Sequence, residues 1–408
     1  MVVRLLLAAC CVLWVVGSLQ CVRQAVSPSE QPVRIFITDA RLDRFPAYAA
    51  EVRARLAISP TIWLVTGDLF ADRSLAAQTD GAAQLAVLNR AGVDAVVLTP
   101  GWLSFGLPRL DQMVSQARFY ALSASLLNAT GSTIGHPFMV RKSGAAMLAL
   151  AGLALDSSNV LTRMAGVRYA APGFAASKAL ALMRQRADFA GVMVEPRAPV
   201  AAWDADFTVN SGASGRFAMV PSDNPSQVNC YDVAADAGRL TEGACSFDPL
   251  RLDSTVIRVI DSVRASVDSA SGHRLALPSS AWTPERLSSV LVNGLLAAKL
   301  ADGFLCDSLF VADFRQPQDV GALVSLLRDP GRLAILAVTG DVLSGWPAEL
   351  VLRSGLSRST LSRGLTYRIA TTVDYLQRNP RLAAAGFELS PRPFWTICRD
   401  ILESGQVK

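Results

Sequence analysis

From residue 33 onward, short β-branched runs alternate with segments of helical spacing, and this alternation confines the chain to a layered α/β fold. VRIFIT at 33–38 reads as a strand, PAYAAEVRARL at 46–56 as a helix and TIWLVTGD at 61–68 as a second strand. AAQLAVLNRAG carries a helical pattern into DAVVLTP, and RFYALSASLL continues the alternation. MVRKSG and AMLALAGLAL look like a hairpin pair, and the helix ASKALALMRQRA leads into DFAGVMVEP. Together these elements predict one α/β domain over residues 30–250.

A second unit follows. STVIRVIDSVRASVDSA at 254–270 has the spacing of a linker helix within 251–280. From PERLSSVLVNGLLAAKLA a smaller α/β domain is predicted over 281–408, with strands near FLCDSLFV, LAILAVTG and TYRIATT. Two domains suit 408 residues, and a chain that is 51% hydrophobic and 18% charged has ample material for two cores. The net charge of +5 is spread along the chain without a Lys/Arg block, so no nucleic-acid partner is expected.

The first twenty residues, MVVRLLLAACCVLWVVGSLQ, place one cation at Arg4 before an apolar run that ends at Gly17. That run is short for a membrane span and reads as a secretory signal over 1–21. Cys21 follows SLQ, a loose lipoprotein-type cleavage site, so a lipid anchor on Cys21 and plain signal cleavage are the two readings. The expected location is the periplasm or the membrane surface of a bacterial envelope. Of seven cysteines, four lie beyond the signal: Cys230, Cys245, Cys306 and Cys398. A Cys230–Cys245 bridge would close NCYDVAADAGRLTEGAC, read as a short polar loop, and stabilise by about 3 kcal/mol on chain-entropy grounds. Cys306 and Cys398 form a second candidate pair, with buried free thiols as the alternative.

Several strings recur in a telling order: FITDA at 36–40, WLVTGDLF at 63–70, LNRAGVDAVVLTPGWLSFG at 88–106, ALSASLLNATG at 121–131 and PFMVRKSGAAMLALAGLAL at 137–155. ERLSSVLVNGLLAAKLADGFL, LAILAVTGDVL and YRIATTVDYL follow. In this order and spacing the chain resembles the 5'-nucleotidases, two-domain members of the calcineurin-like metallophosphoesterases, over nearly all of its mature length. The resemblance implies a four-layer β-sandwich flanked by helices plus a smaller α/β carboxyl-terminal domain. The parent chemistry it implies is metal-dependent hydrolysis of phosphoric monoesters.

That chemistry uses two divalent ions about 4 Å apart, held by a bridging carboxylate with imidazoles and an amide around them. Carried over motif by motif, Asp39 and Asp68 match the first two acidic positions, but Arg41 stands where a histidine belongs. Pro100 and Gly101 replace the family's Asn-His pair, Glu195 lies near a third histidine position, and Gly212 and Ser214 replace the last two. The whole chain has only two histidines, His136 in TIGHPF and His273 in SGHRL, and neither lies in a ligand motif. No resident metal is therefore expected. Arg41 is expected to pair with Asp39 and Asp68 in place of the ions. The alternatives are a single hard cation held by oxygens of Asp39, Asp68 and Glu195, with Asp43, Asp72 or Asp206 near in sequence, and a pair of solvated strand-end acids.

The nucleoside site implied by the resemblance is altered as well. The family's Asn-x-Gly-Gly-x-Arg loop falls on DSLFVA at 307–312, where Leu309 and Phe310 replace glycines and Ala312 the cation. RDPGR at 328–332 and RNPR at 378–381 stand at two further loops of that site. Phe394 and Trp395 in PRPFWTIC remain as candidates to stack on a base, with core anchoring as the other reading. GASG at 212–215 lacks a following P-loop lysine, and no Gly-x-Ser-x-Gly elbow occurs. The expected function is binding or scaffolding by an exported 5'-nucleotidase-like protein without a two-metal site, toward an envelope protein or a small ligand. A phosphohydrolase with an altered metal site and a nucleoside-binding module are the alternatives.

Overall fold

A computed structural model gives the fold, and it describes residues 33–404. Left out of that description are 144–145, 156–159, 161–162, 199–202, 212–217, 220–226, 235–238, 247, 276–281, 307, 311–314, 347–355 and 357–360. The predicted signal over 1–21, with Cys21, therefore lies outside the described residues. Among the described residues no helix is long and apolar enough to cross a membrane.

β1 (Val33–Asp39), α1 (Phe45–Leu56) and β2 (Thr61–Thr66) open the fold. All six residues of β2 are buried, as a strand covered on both faces requires. In α1, Phe45, Tyr48, Ala49 and Val52 fall on one face and are buried, and the Phe45 ring lies 5.7 Å from that of Trp63 on β2. The chain continues through α2 (Arg73–Thr79), α3 (Ala82–Ala91), β3 (Ala95–Val97), α4 (Pro100–Leu103), α5 (Leu107–Gln116) and β4 (Tyr120–Leu122). β1 to β4 run parallel in register, with Arg34 opposite Thr61 and Ala95 opposite Tyr120.

The second layer comes from β5 (Leu126–Asn128), β6 (Phe138–Ser143), β7 (Ala146–Ala154), β8 (Val167–Tyr169), α6 (Pro172–Met183), β9 (Phe189–Ala198), β10 (Phe207–Ser211) and β11 (Ala218–Met219). β6 and β7 form the expected antiparallel pair, inside a sheet ordered β11-β10-β9-β7-β6. The two sheets touch where Gly152 of β7 meets β4: a Cβ there would fall 2.4 Å from Leu122 Cβ, so only glycine allows this approach. α6 covers the outer face of the second sheet with Ala175, Ala176, Ala179, Leu180 and Met183, all buried against β7 and β9.

β12 (Gln227–Ala234) and β13 (Arg239–Ser246) follow, and here the expectation of a polar loop fails. The two strands pair antiparallel with each other, and β12 adds to β1, giving the order β13-β12-β1-β2-β3-β4. Cys230 and Cys245, on these two strands, are joined by a disulfide with Cα atoms 5.8 Å apart. Cys306 and Cys398 are not joined: Cys398 is sealed in an apolar core, and the Cys306 thiol turns to the Ser308 carbonyl at 3.1 Å.

α7 (Ser254–Ser271) runs back along α1 and α3. Its first turn is capped by Asp253, which accepts from Thr255 N at 2.8 Å and Val256 N at 3.2 Å and is bound by Arg53 of α1. Helices, sheet, sheet and helix thus make four layers. Beyond them come α8 (Pro284–Ala297), β14 (Gly303–Leu305), α9 (Val320–Leu326), β15 (Arg332–Thr339), α10 (Gly340–Ser344), β16 (Thr366–Thr372), α11 (Val373–Arg378), β17 (Glu388–Pro393) and α12 (Phe394–Glu403). They form a four-stranded sheet, β14-β16-β15-β17, whose own core is built from α8, α9 and α12.

Beside the Met164–Phe387 bridge, α2 makes a contact between the halves. Its Ala77 carbonyl accepts from Trp395 Nε1 of α12 at 3.1 Å, and Arg73 lies 3.7 Å from Asp374 of α11. Asp80, just past its end, is 3.2 Å from Arg332 of β15. Asp80 sits at φ +49°, a left-handed position that caps the helix with its backbone.

Candidate functional site

The carboxyl ends of β1, β2 and β3 converge with the end of β9, the usual place for a site in parallel α/β sheets. β1 ends in Asp39. Gly67 after β2, at φ +99°, turns the chain sharply and presents Asp68. β3 leads through Thr99 into Pro100 and Gly101 at the start of α4.

Asp39 is occupied by neighbouring donors. Its Oδ2 accepts from Arg41 Nε at 2.9 Å, and its Oδ1 accepts from Arg41 N and from Tyr48 Oη, both at 3.2 Å. Arg44 adds a second guanidinium at 3.7 Å. Burial pushes the Tyr48 phenol above its ordinary pKa, which keeps it a donor. The expected pairing of Arg41 therefore holds for Asp39 but not for Asp68. Asp68 instead uses Oδ1 to accept from Phe70 N at 2.9 Å, closing its own turn. Charge on the two acids is thus settled separately, one by arginines and one by local backbone.

Gly101 fits tightly over Asp68: a Cβ at this position would lie 3.3 Å from Asp68 Oδ1 and 3.4 Å from Thr99 Oγ1. Glu195 is only 2% exposed and points its Oε1 at Gly67 N, 2.8 Å away. The structure therefore brings Asp39, Arg41, Asp68, Gly101 and Glu195 into one neighbourhood, with Pro100 beside Gly101. Gly212 and Ser214 lie outside the described residues.

The two histidines are elsewhere. His136 stands edge-on to Tyr120 at 5.4 Å, and His273 Nε2 lies 3.1 Å from Glu403 of α12. The donor set left at the strand ends, carboxylates already bound to arginines and backbone N–H groups, does not fit a two-metal centre. Among the described residues no group of three or more His, Cys, Asp or Glu is arranged to hold a metal ion.

Two hollows flank α2. The larger, about 700 Å³, reaches from Asp39, Arg41 and Asp68 along α2 and α3 to α7. The smaller, about 210 Å³, lies between Asp68, Pro100 and Gly101 on one side and Asp329, Arg332 and Asp374 on the other. RDPGR, placed in the sequence at a loop of the second unit's site, supplies Asp329 and Arg332 here, whereas the contribution of α7 was not legible because it depends on where the long helix docks. Asp329 is held by burial above the usual carboxylate range, against hydrogen bonds from Asp374 N and Gly331 N, each 3.2 Å.

Neither base-stacking candidate lines either hollow. Phe394 is 1% exposed and stacks on Phe304 at 6.1 Å inside the second core. Trp395 is bonded at its edge to Ala77 and covered on its face by Arg399, 5.7 Å from the ring centre. Both act as anchors because the start of α12 is pressed between the second core and α2. Leu309 and Phe310 are likewise buried in that core, so side chains fill the loop that glycines would leave open.

No family model and no curated protein matches the sequence. Solved structures do match the fold. A protein from Staphylococcus aureus, provisionally named a 5'-nucleotidase and solved with alpha-ketoglutarate, is 11% identical, with TM-score 0.58 over 92% of this chain and 98% of that one. A 5'-nucleotidase precursor from Thermus thermophilus is 14% identical, with TM-score 0.54 over 91% and 96%. The NAD nucleotidase of Haemophilus influenzae is 10% identical, with TM-score 0.51 over 91% and 96%. At such identity the likeness shows the fold: a two-domain α/β architecture shared with 5'-nucleotidases.

Proposed function

We propose that the chain is an exported envelope protein that keeps the 5'-nucleotidase architecture without a two-metal phosphohydrolase site, and that it works by binding. The carrying observation is Arg41 on Asp39: a permanent guanidinium occupies the first of the two matching acids, and it comes from the position where the resemblance expects an imidazole. Arg44 and Tyr48 reinforce this occupation, and Glu195 is turned onto backbone. Two histidines in the whole chain cannot supply the nitrogens that the parent site uses. The apolar run after Arg4 supports export, and a lipid on Cys21 would hold the protein at the membrane surface, facing an envelope protein or a small ligand.

The altered-metal reading is the weaker one, because a hard cation at Asp39, Asp68 and Glu195 would have to displace two arginines and a backbone N–H. The test is calorimetric titration of the mature protein with Mn²⁺ and Mg²⁺, alongside assays with AMP and p-nitrophenyl phosphate. Absence of saturable metal binding and of turnover is the expected result. Phosphate release that disappears in Asp68→Asn would overturn the proposal.

A further inference from the structure

The larger hollow takes in Asp39 and Asp68 of the remnant site and extends beyond it along α2 and α3 to α7. It is lined by neither Pro100, Gly101 nor Glu195, and by no residue of the second unit; Asp68 is the one residue it shares with the smaller hollow. α2 divides the two, turning Ser74, Leu75 and Gln78 to the larger and Arg73, Ala76 and Ala77 to the smaller.

One wall is a stripe on α7, Ile260, Val263 and Val267, at helical spacing over about 10 Å. Leu75 and Val87 line the opposite side. Ile260, Val263, Val267 and Leu75 are only half-buried, so apolar surface faces the space between the helices. A concave site of about 700 Å³ with mostly apolar walls and a few polar groups matches the form of small-molecule sites.

The polar end has a sign. Asp39 is offset by Arg41 and Arg44, which leaves Asp43, Asp68 and Asp72 against Arg264 among the lining ions. Asp43 makes no ion pair among the described residues, and Asp68 Oδ2 accepts no described hydrogen bond. Three exposed carboxylates beside apolar walls favour a cation over a phosphate. We propose that this cleft binds an amphipathic small molecule with an apolar body and an ammonium head, the body between α7 and the α2–α3 layer and the head at Asp43 and Asp68. Such a ligand is opposite in charge to a nucleotide.

Three probes with one body and different heads test this on the full mature chain: octylammonium, octanoate and octyl glucoside, each below its micellar concentration, by isothermal titration. Octylammonium is expected to bind saturably and about tenfold or more tighter than octanoate. Asp43→Asn with Asp68→Asn should weaken octylammonium about tenfold, while an asparagine at 68 can still accept from Phe70 N. Val263→Trp should fill the cleft and remove binding, with circular dichroism reporting that the fold is kept. No saturable binding, equal binding of the cationic and anionic probes, or unchanged binding in a folded Val263→Trp would each overturn the assignment. The probes carry neither metal nor phosphate, so the result is independent of the phosphohydrolase test.

Discussion

Glu195 lies on β9 in one sheet and accepts a hydrogen bond at 2.8 Å from Gly67 N, the first residue after β2 in the other. This bond ties the two sheets near the place where the acids converge. Glu195→Ala removes a buried side chain and its acceptor together and should cost about 1–3 kcal/mol. Glu195→Gln keeps an oxygen acceptor and should cost less. Urea midpoints of the two variants check the order, and equal midpoints would show that the tie contributes nothing.

Arg41→Glu should destabilise by about 1 kcal/mol or less, because the Arg41 side chain is 53% exposed and solvent screens the pair. The loss should shrink in 1 M salt, where the screening length falls to about 3 Å. A variant that melts with the parent at low salt would remove Arg41 from its assigned role as counter-charge to Asp39.

Replacing both Cys230 and Cys245 by serine should lower stability by about 3 kcal/mol, given the sequence separation of 15. The bridge joins β12 to β13 at the margin of the first sheet, so hydrogen exchange should quicken there before it does in β2 or β3. Uniform acceleration across the sheet would contradict a local role.

Asp329 makes a statement about pH. Burial raises its folded pKa above the unfolded value, with Arg73 and the N–H groups of Asp374 and Gly331 opposing the shift and the Asp374 charge adding to it. Between the two values the folded chain holds the extra proton. Stability therefore falls as pH rises from the ordinary aspartate range through the raised value. Asp329→Asn should flatten that part of the profile, leaving the slope from Asp94, which burial also raises. Denaturation midpoints between pH 4 and 7 decide the matter.

The parallel strands were legible because burial on both faces forces continuous apolar runs such as TIWLVT. β12 and β13 were not, since Asn229, Asp232, Thr241 and Glu242 interrupt the apolar pattern of strands added at the margin of a sheet. Arg41 and Asp39 could be paired in advance because they are two residues apart at a strand end. Asp68 departs from the expected pairing: its Oδ1 accepts from the N–H two residues ahead, a local competitor that side-chain charge alone does not reveal. The site's second half escaped notice because RSLAAQT is a short, bland helix. Its importance arises only when Trp395, 318 residues later, finds the Ala77 carbonyl.

The snug seat of Gly101 has a consequence for anyone who would reinstall hydrolytic machinery. A histidine grafted there brings a methylene 3.3 Å from the Asp68 oxygen, so the loop must give way before the ring can be aimed. Recovering activity would demand rebuilding a stretch of backbone and evicting a guanidinium in concert, and one codon will not suffice.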